Sequence, residues 1–186
     1  AECRMPLCYG GGVTTVDQFK KIISLGVEKV AISFSAIENP ELLSQAAKVV
    51  GNQSVVVVLD VKKKRFGSKY EVFTHNGKRA TNLEVSELAH RFESLGAGEI
   101  VINSIDRDGG MQGYDLKLIG HVRKKVTVPV TALGGAGSLK DIREIVDNFG
   151  VMGAAAGSLF VFKGKYRAVL ISYPRQCEKD ELVELD

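Results

Sequence analysis

Displaced by 123 positions, the sequence falls on itself. Pro6 lands on Pro129, Gly11 and Gly12 on Gly134 and Gly135, Phe19 on Ile142, Ile22 and Ile23 on Ile145 and Val146, Ala31 on Ala154, and Ser35 on Ser158. Each copy reads as a strand, a double glycine, a helix, a second strand and a serine. The match in the apolar period of the helices is harder to obtain by chance than the match at glycine. A repeat of about 120 residues is half of a (β/α)8 barrel of about 250.

Alternating strands and helices fill the chain. "MPLCY", "EKVAIS", "SVVVVLD", "EIVINSID", "VPVTAL" and "MGAAAGS" are short apolar or β-branched runs, and helical stretches such as "TVDQFKKIISLG" and "SLKDIREIVDNFG" separate them. Several of these strands are apolar on both faces, as parallel strands covered on both sides must be. The units of "SVVVVLD" and "EIVINSID" lie between the two copies, so their mates one repeat earlier would precede Ala1. The sequence therefore predicts a (β/α)8 TIM barrel lacking its first two βα units, with six parallel strands present. A complete six-stranded open sheet is the alternative. One partial barrel domain is expected over 1–186, with the barrel at about 1–174 and a polar C-terminal tail at 175–186.

Composition excludes several classes. No apolar run approaches the roughly 20 residues that span a bilayer, and the net charge of +3 is mild. Cys3, Cys8 and Cys177 lack disulfide or zinc spacing, and His75, His90 and His121 lack metal-ligand spacing. A cytoplasmic setting, no metal and no cofactor are the expectations, with no membrane or nucleic-acid partner. The basic stretch "DVKKKRFGSKYEVFTHNGKRATN" interleaves aromatic and basic residues, yet it follows directly from a strand end and can close over an anionic small molecule instead. Within it, "YEVFTHNGK" reads as a strand entering an Asn-Gly turn.

In a barrel the chemistry gathers where strands end. Gly11 and Gly12 precede one helix, and Gly134 and Gly135 precede its repeat mate. Bare backbone at a helix start admits a phosphate oxygen to main-chain N–H groups. Two such turns in register, followed one unit later by Ser35 and by Gly157 and Ser158, predict a substrate with a phosphate at each end. Asp60 ends the most apolar strand, where a carboxylate emerging from a dry wall suits proton transfer; a loop or capping aspartate is the alternative. Asp106 and Asp108 flank Arg107 at the next strand end, and one of the two is expected to pair with an arginine or lysine. Lys29 and Glu99 open their strands and point to the barrel bottom, where surface ion pairs are the simplest reading.

"YGGGVTT", "VVVVLDVK", "LGAGEIVINSIDRDG", "GYDLKLI", "GGAGSLKD" and "AAAGSLFVF" occur in order from about Met5 to Phe162, and together they closely resemble the cyclase subunit of imidazole glycerol phosphate synthase. The resemblance implies an enzyme that adds ammonia from a partner glutaminase, docked at the N-terminal face, to a phosphoribulosyl-formimino-carboxamide ribotide. The product splits into imidazole glycerol phosphate and aminoimidazole carboxamide ribotide, a step of histidine biosynthesis. It also implies that Asp60 is one of two acid-base aspartates, the other lying on a strand that this chain lacks. Gly12, Asp108, Gly109, Gly135, Gly157 and Ser158 match phosphate-site positions, and Lys29 and Glu99 match half of a charged ammonia gate.

Ser33 and Phe34 stand where the family usually places Asn and Thr at a phosphate site, Leu133 where it places Ser, and Asn103 where it places Thr. These departures also resemble a paralogous branch that delivers ammonia for amidination of surface-polysaccharide sugars. A non-catalytic scaffold that only docks a glutaminase is a further alternative.

Overall fold

The computed structural model describes residues 5–64 and 69–183. Cys3, and positions 65–68 of the basic stretch, lie outside these residues.

Six strands, β1 (Cys8–Gly10), β2 (Lys29–Ile32), β3 (Val55–Lys63), β6 (Glu99–Ser104), β7 (Val130–Leu133) and β8 (Gly153–Ala154), pair in that order, and every pairing is parallel. They form a curled sheet, part of a barrel, with helices α1 (Val16–Ser24), α3 (Glu41–Val50), α4 (Val85–Ser94), α5 (Leu116–Arg123) and α6 (Leu139–Phe149) as the crossovers. Strand follows helix in chain order across the whole sheet, so the expected partial (β/α)8 architecture is what the chain forms. An antiparallel hairpin, β4 (Tyr70–Thr74) and β5 (Arg79–Glu84), extends from the far end of β3. Its turn uses the left-handed region at His75, Asn76 and Gly77, where asparagine and glycine are tolerated best.

The repeat is structural as well as sequential. Thr15 caps α1 through a capping box with Gln18, and Ser138 caps α6 through one with Asp141, 123 positions on in both cases. Both glycines in each turn have positive φ: Gly11 110°, Gly12 70°, Gly134 91° and Gly135 110°.

Side chains alternate across the strands. Val30, Ile32, Val55, Val57, Leu59, Val61, Ile100, Ile102 and Val130 face the helices, packing with Phe19, Leu43, Ala46, Leu88, Phe92 and Val122 into the main core. Lys29, Ala31, Val56, Val58, Asp60, Glu99, Val101, Asn103, Thr131 and Leu133 are therefore on the inner face. That face is apolar in the middle and polar at both ends.

Short elements escaped the sequence reading. These are α2 (Phe34–Glu38), α7 (Ser158–Val161), the hairpin β9 (Phe162–Lys163) with β10 (Ala168–Val169), and α8 (Gln176–Val183) within the segment read as a polar tail.

Candidate functional site

At the far end of the inner face, β3 brings Asp60 into register with Asn103 of β6 on one side and Phe73 of β4 on the other. Asn103 Nδ2 donates to Asp60 Oδ1 at 2.9 Å. Lys62, two residues further along the same face, is occupied elsewhere: its Nζ donates to the Gly77 carbonyl at 3.0 Å and lies 4.9 Å from the Phe73 ring centroid.

The first double-glycine turn opens into a cavity of about 360 Å³ lined by Gly11, Gly12, Ser33, Phe34, Ser35 and Val58, among others. Among the described residues nothing lies within 4 Å of where a Cβ would stand on Gly11 or Gly12, so the bare backbone there faces open space. Ser35 does not line it with a free hydroxyl, because its Oγ donates to the Val13 carbonyl at 2.7 Å and ties the turn down. The ring of Phe34 meets His75 edge-on, with centroids 4.6 Å apart. The tip of the β4–β5 hairpin thus rests against the lip of this cavity.

The second turn differs. A Cβ on Gly135 would come within 2.2 Å of the Gly113 carbonyl oxygen, and one on Gly134 within 2.7 Å of the Ser104 oxygen. The loop from Ser104 to Gly113 packs directly on it, and Gly113 N donates to Gly135 O at 2.9 Å. Gly109 and Gly157 are open, Asp108 is exposed, and Ser158 starts α7. β6 ends at Ser104, after which the chain turns, so Asp106 and Asp108 lie in the loop beyond the strand. Among the described residues neither aspartate makes the expected ion pair with an arginine or lysine side chain. Asp106 accepts from Lys63 N at 3.1 Å, and Arg107 donates to the carbonyls of Gly113 and Gln112.

At the opposite end, Lys29 Nζ reaches over the intervening strand to Glu99 Oε2 at 2.6 Å. Thr131 Oγ1 donates to the other carboxylate oxygen at 2.7 Å. Cys8 is in register with Lys29. Partial desolvation by its neighbours pushes its thiol pKa up although the residue is exposed overall, the Glu99 carboxylate adds to this, and Lys29 opposes it. Lys29 and Glu99 are thus partners in one ion pair on the inner face. Thr131, the residue that fixes its second oxygen, gave no sequence signal.

Another cavity, about 720 Å³, lies elsewhere, between β4, the 106–117 segment and the start of α6. Its polar groups serve the fold. Tyr70 donates to both oxygens of Asp115, which caps α5 by accepting from Leu118 N. Burial, with the Asp115 hydrogen bond and charge, pushes the Tyr70 pKa up to about 12. Among the described residues, no group of three His, Cys, Asp or Glu side chains is placed to hold a metal ion.

A family signature described as "Histidine biosynthesis protein" matches residues 1–167. The chain belongs to this family. It is 54% identical over 185 residues to "Putative imidazole glycerol phosphate synthase subunit hisF3" of Vibrio vulnificus (strain YJ016), a match covering all of this chain and 71% of that relative. It is 48% identical over 173 residues to "Putative imidazole glycerol phosphate synthase subunit hisF2" of Pseudomonas aeruginosa, covering 93% of this chain and 68% of the relative. To "Imidazole glycerol phosphate synthase subunit HisF" of Lactococcus lactis subsp. cremoris (strain SK11) it is 43% identical over 159 residues, covering 86% of this chain and 61% of the relative. For a member of the histidine biosynthesis family, the inner face then supplies what the motifs alone could not: Asp60 and the Lys29–Glu99 pair lie at opposite ends of one lining. No helix among the described residues is long and apolar enough to cross a membrane.

Proposed function

We propose that this chain is the barrel of an ammonia-using cyclase-lyase of the imidazole glycerol phosphate synthase type. The observation that carries the reading is the single inner face, with an ion pair at one end, a carboxylate at the other and an apolar stretch between. Ammonia from a glutaminase docked at the Lys29–Glu99 end passes Val56, Val58 and Val101. Apolar walls disfavour the ammonium ion and admit the neutral molecule. At the far end it meets a substrate whose phosphates sit at the two glycine turns: Gly11, Gly12 and Ser33 at one, and Asp108, Gly109, Gly134, Gly135, Gly157 and Ser158 around the other. Asp60 moves the proton as ammonia adds and the ring closes.

The test uses the complete gene product with ammonium salt and the carboxamide ribotide, followed by loss of substrate absorbance. Asp60→Asn is expected to lower kcat by about 100-fold or more, the scale of losing an acid-base group. Absence of turnover in the parent, or equal turnover in Asp60→Asn, removes the reading.

One observation favours the sugar-amidination branch as a second reading. Phe34 puts a ring, braced by His75, at the lip of the first turn's cavity, where a phosphate gains nothing from an apolar edge. On that reading the protein with its glutaminase releases ammonia at the Asp60 end but leaves the carboxamide ribotide unchanged in the same assay.

A further inference from the structure

We infer that Asn103 is a positioning residue that sets the Asp60 carboxylate for proton transfer; the inference rests on the reading of Asp60 given above. The two residues are direct register partners on parallel strands β3 and β6. Their contact is a charge-assisted hydrogen bond, with the amide Nδ2 donating to Oδ1 at 2.9 Å. Such a bond is stronger than a neutral one. It fixes one carboxylate oxygen and the plane of the group, and Oδ2 keeps no protein hydrogen-bond partner among the described residues. Lys62, the next residue of β3 on the same face, is held by Gly77 and Phe73.

The other end of the amide marks Asn103 as more than packing. Its Oδ1 is buried and has no hydrogen-bond partner among the described residues. A buried acceptor without a donor works against stability, so the fold alone is better served by an apolar side chain here. Room for the amide comes from the second glycine turn, because a Cβ on Gly134 would stand 3.0 Å from Asn103 Oδ1. Gly134 therefore serves the orientation of the carboxylate as well as the turn.

The experiment compares Asn103→Val with Asn103→Thr in the complete gene product, assayed with ammonium salt and the carboxamide ribotide. Valine and threonine are close in shape, but only threonine offers a hydroxyl that can donate to Asp60. Asn103→Val is expected to lower kcat by about 100-fold, the scale of a misplaced reacting group, with KM little changed and the unfolding midpoint equal to or above that of the parent. Asn103→Thr is expected to recover at least about ten-fold of that loss. Equal kcat in the two variants, or a valine variant whose activity loss follows a lowered unfolding midpoint, overturns the inference while leaving a parent sensitive to Asp60→Asn as the cyclase. A parent without turnover overturns the cyclase reading instead. The pairing is then decided by NMR of the Asn103 side-chain amide, assigned by its disappearance in Asn103→Val. Its proton signals are expected to shift on Asp60→Asn, and an unmoved signal overturns the inference.

Discussion

Two glycines at matching places in the repeat do different work. Gly12 has φ of 70° with open space where a Cβ would go, whereas a Cβ on Gly135 would press to 2.2 Å from the Gly113 oxygen at φ of 110°. Gly12→Ala is expected to cost only about 1 kcal/mol, the strain of a left-handed alanine, and to show its main effect as weaker substrate binding. Gly135→Ala adds a backbone collision that can be relieved only by moving the 104–113 loop, so a cost above about 3 kcal/mol is expected. Urea midpoints of the two variants check the order, and comparable midpoints would sink the distinction. The glycines themselves were legible in the sequence because a double glycine between strand and helix is a local signal. Asn103 and Thr131 were not legible as partners, because their contacts reach Asp60 and Glu99 across 43 and 32 positions of chain. Neither period nor spacing reports a neighbour on an adjoining strand. The Phe34–His75 contact joins two segments in the same way, and Phe34 stood out only through its departure from the family pattern.

Among the elements, α4 is held at both ends by carboxylates. Glu84 accepts from Ser86 N, Ser86 Oγ and Glu87 N at the start, and Glu93 accepts from Thr127 N, Thr127 Oγ1 and Val128 N near the end. Burial alone would raise both pKa values. The hydrogen bonds, led by Ser86 Oγ at Glu84 and by Thr127 Oγ1 at Glu93, outweigh it and hold both below 4.5. A depressed carboxylate contributes stability in full above its unfolded value and loses it as pH falls through the folded one. The stability of α4 against β7 is therefore expected to be constant near neutrality and to fall as pH drops below about 4.5. Glu93→Gln is expected to lower stability at pH 7 by about 2 kcal/mol, the scale of hydrogen bonds to a charged acceptor, and to flatten the acid side of the profile. An acid limb as steep as that of the parent would show that other groups carry it. The long helices and strands were readable because each has an apolar period and a cap. α2, α7 and the β9–β10 hairpin are too short to show a period, and α8 lacks an apolar stripe. It is held instead by contacts such as Arg143 Nη1 donating to the Glu181 carbonyl at 3.0 Å.

For the whole molecule, the repeat implies a closed ring of strands, whereas the described sheet is open. β1 and β8 each have one neighbouring strand. Every residue of β1 is exposed. Met5, Leu7 and Tyr9 are exposed near one edge, and Val151, Val169 and Ile171 lie in the C-terminal part of the chain that includes the other. Parallel edges present unpaired N–H and C=O groups, and apolar side chains beside them favour strand addition or face-to-face association. Closing the ring with further βα units, as the length of the relatives allows, would bury these groups and complete the inner face around Asp60. A chain of these 186 residues, prepared alone, is therefore expected to self-associate as its concentration rises, with a sedimentation-average mass above one chain and increased binding of a hydrophobic dye. A chain extended by two N-terminal βα units is expected to be monodisperse and to bind the dye weakly. If the 186-residue chain stays monomeric at all concentrations and unfolds cooperatively, its edges are satisfied as they stand. The open six-stranded sheet, not a barrel awaiting closure, is then the stable form of the fold.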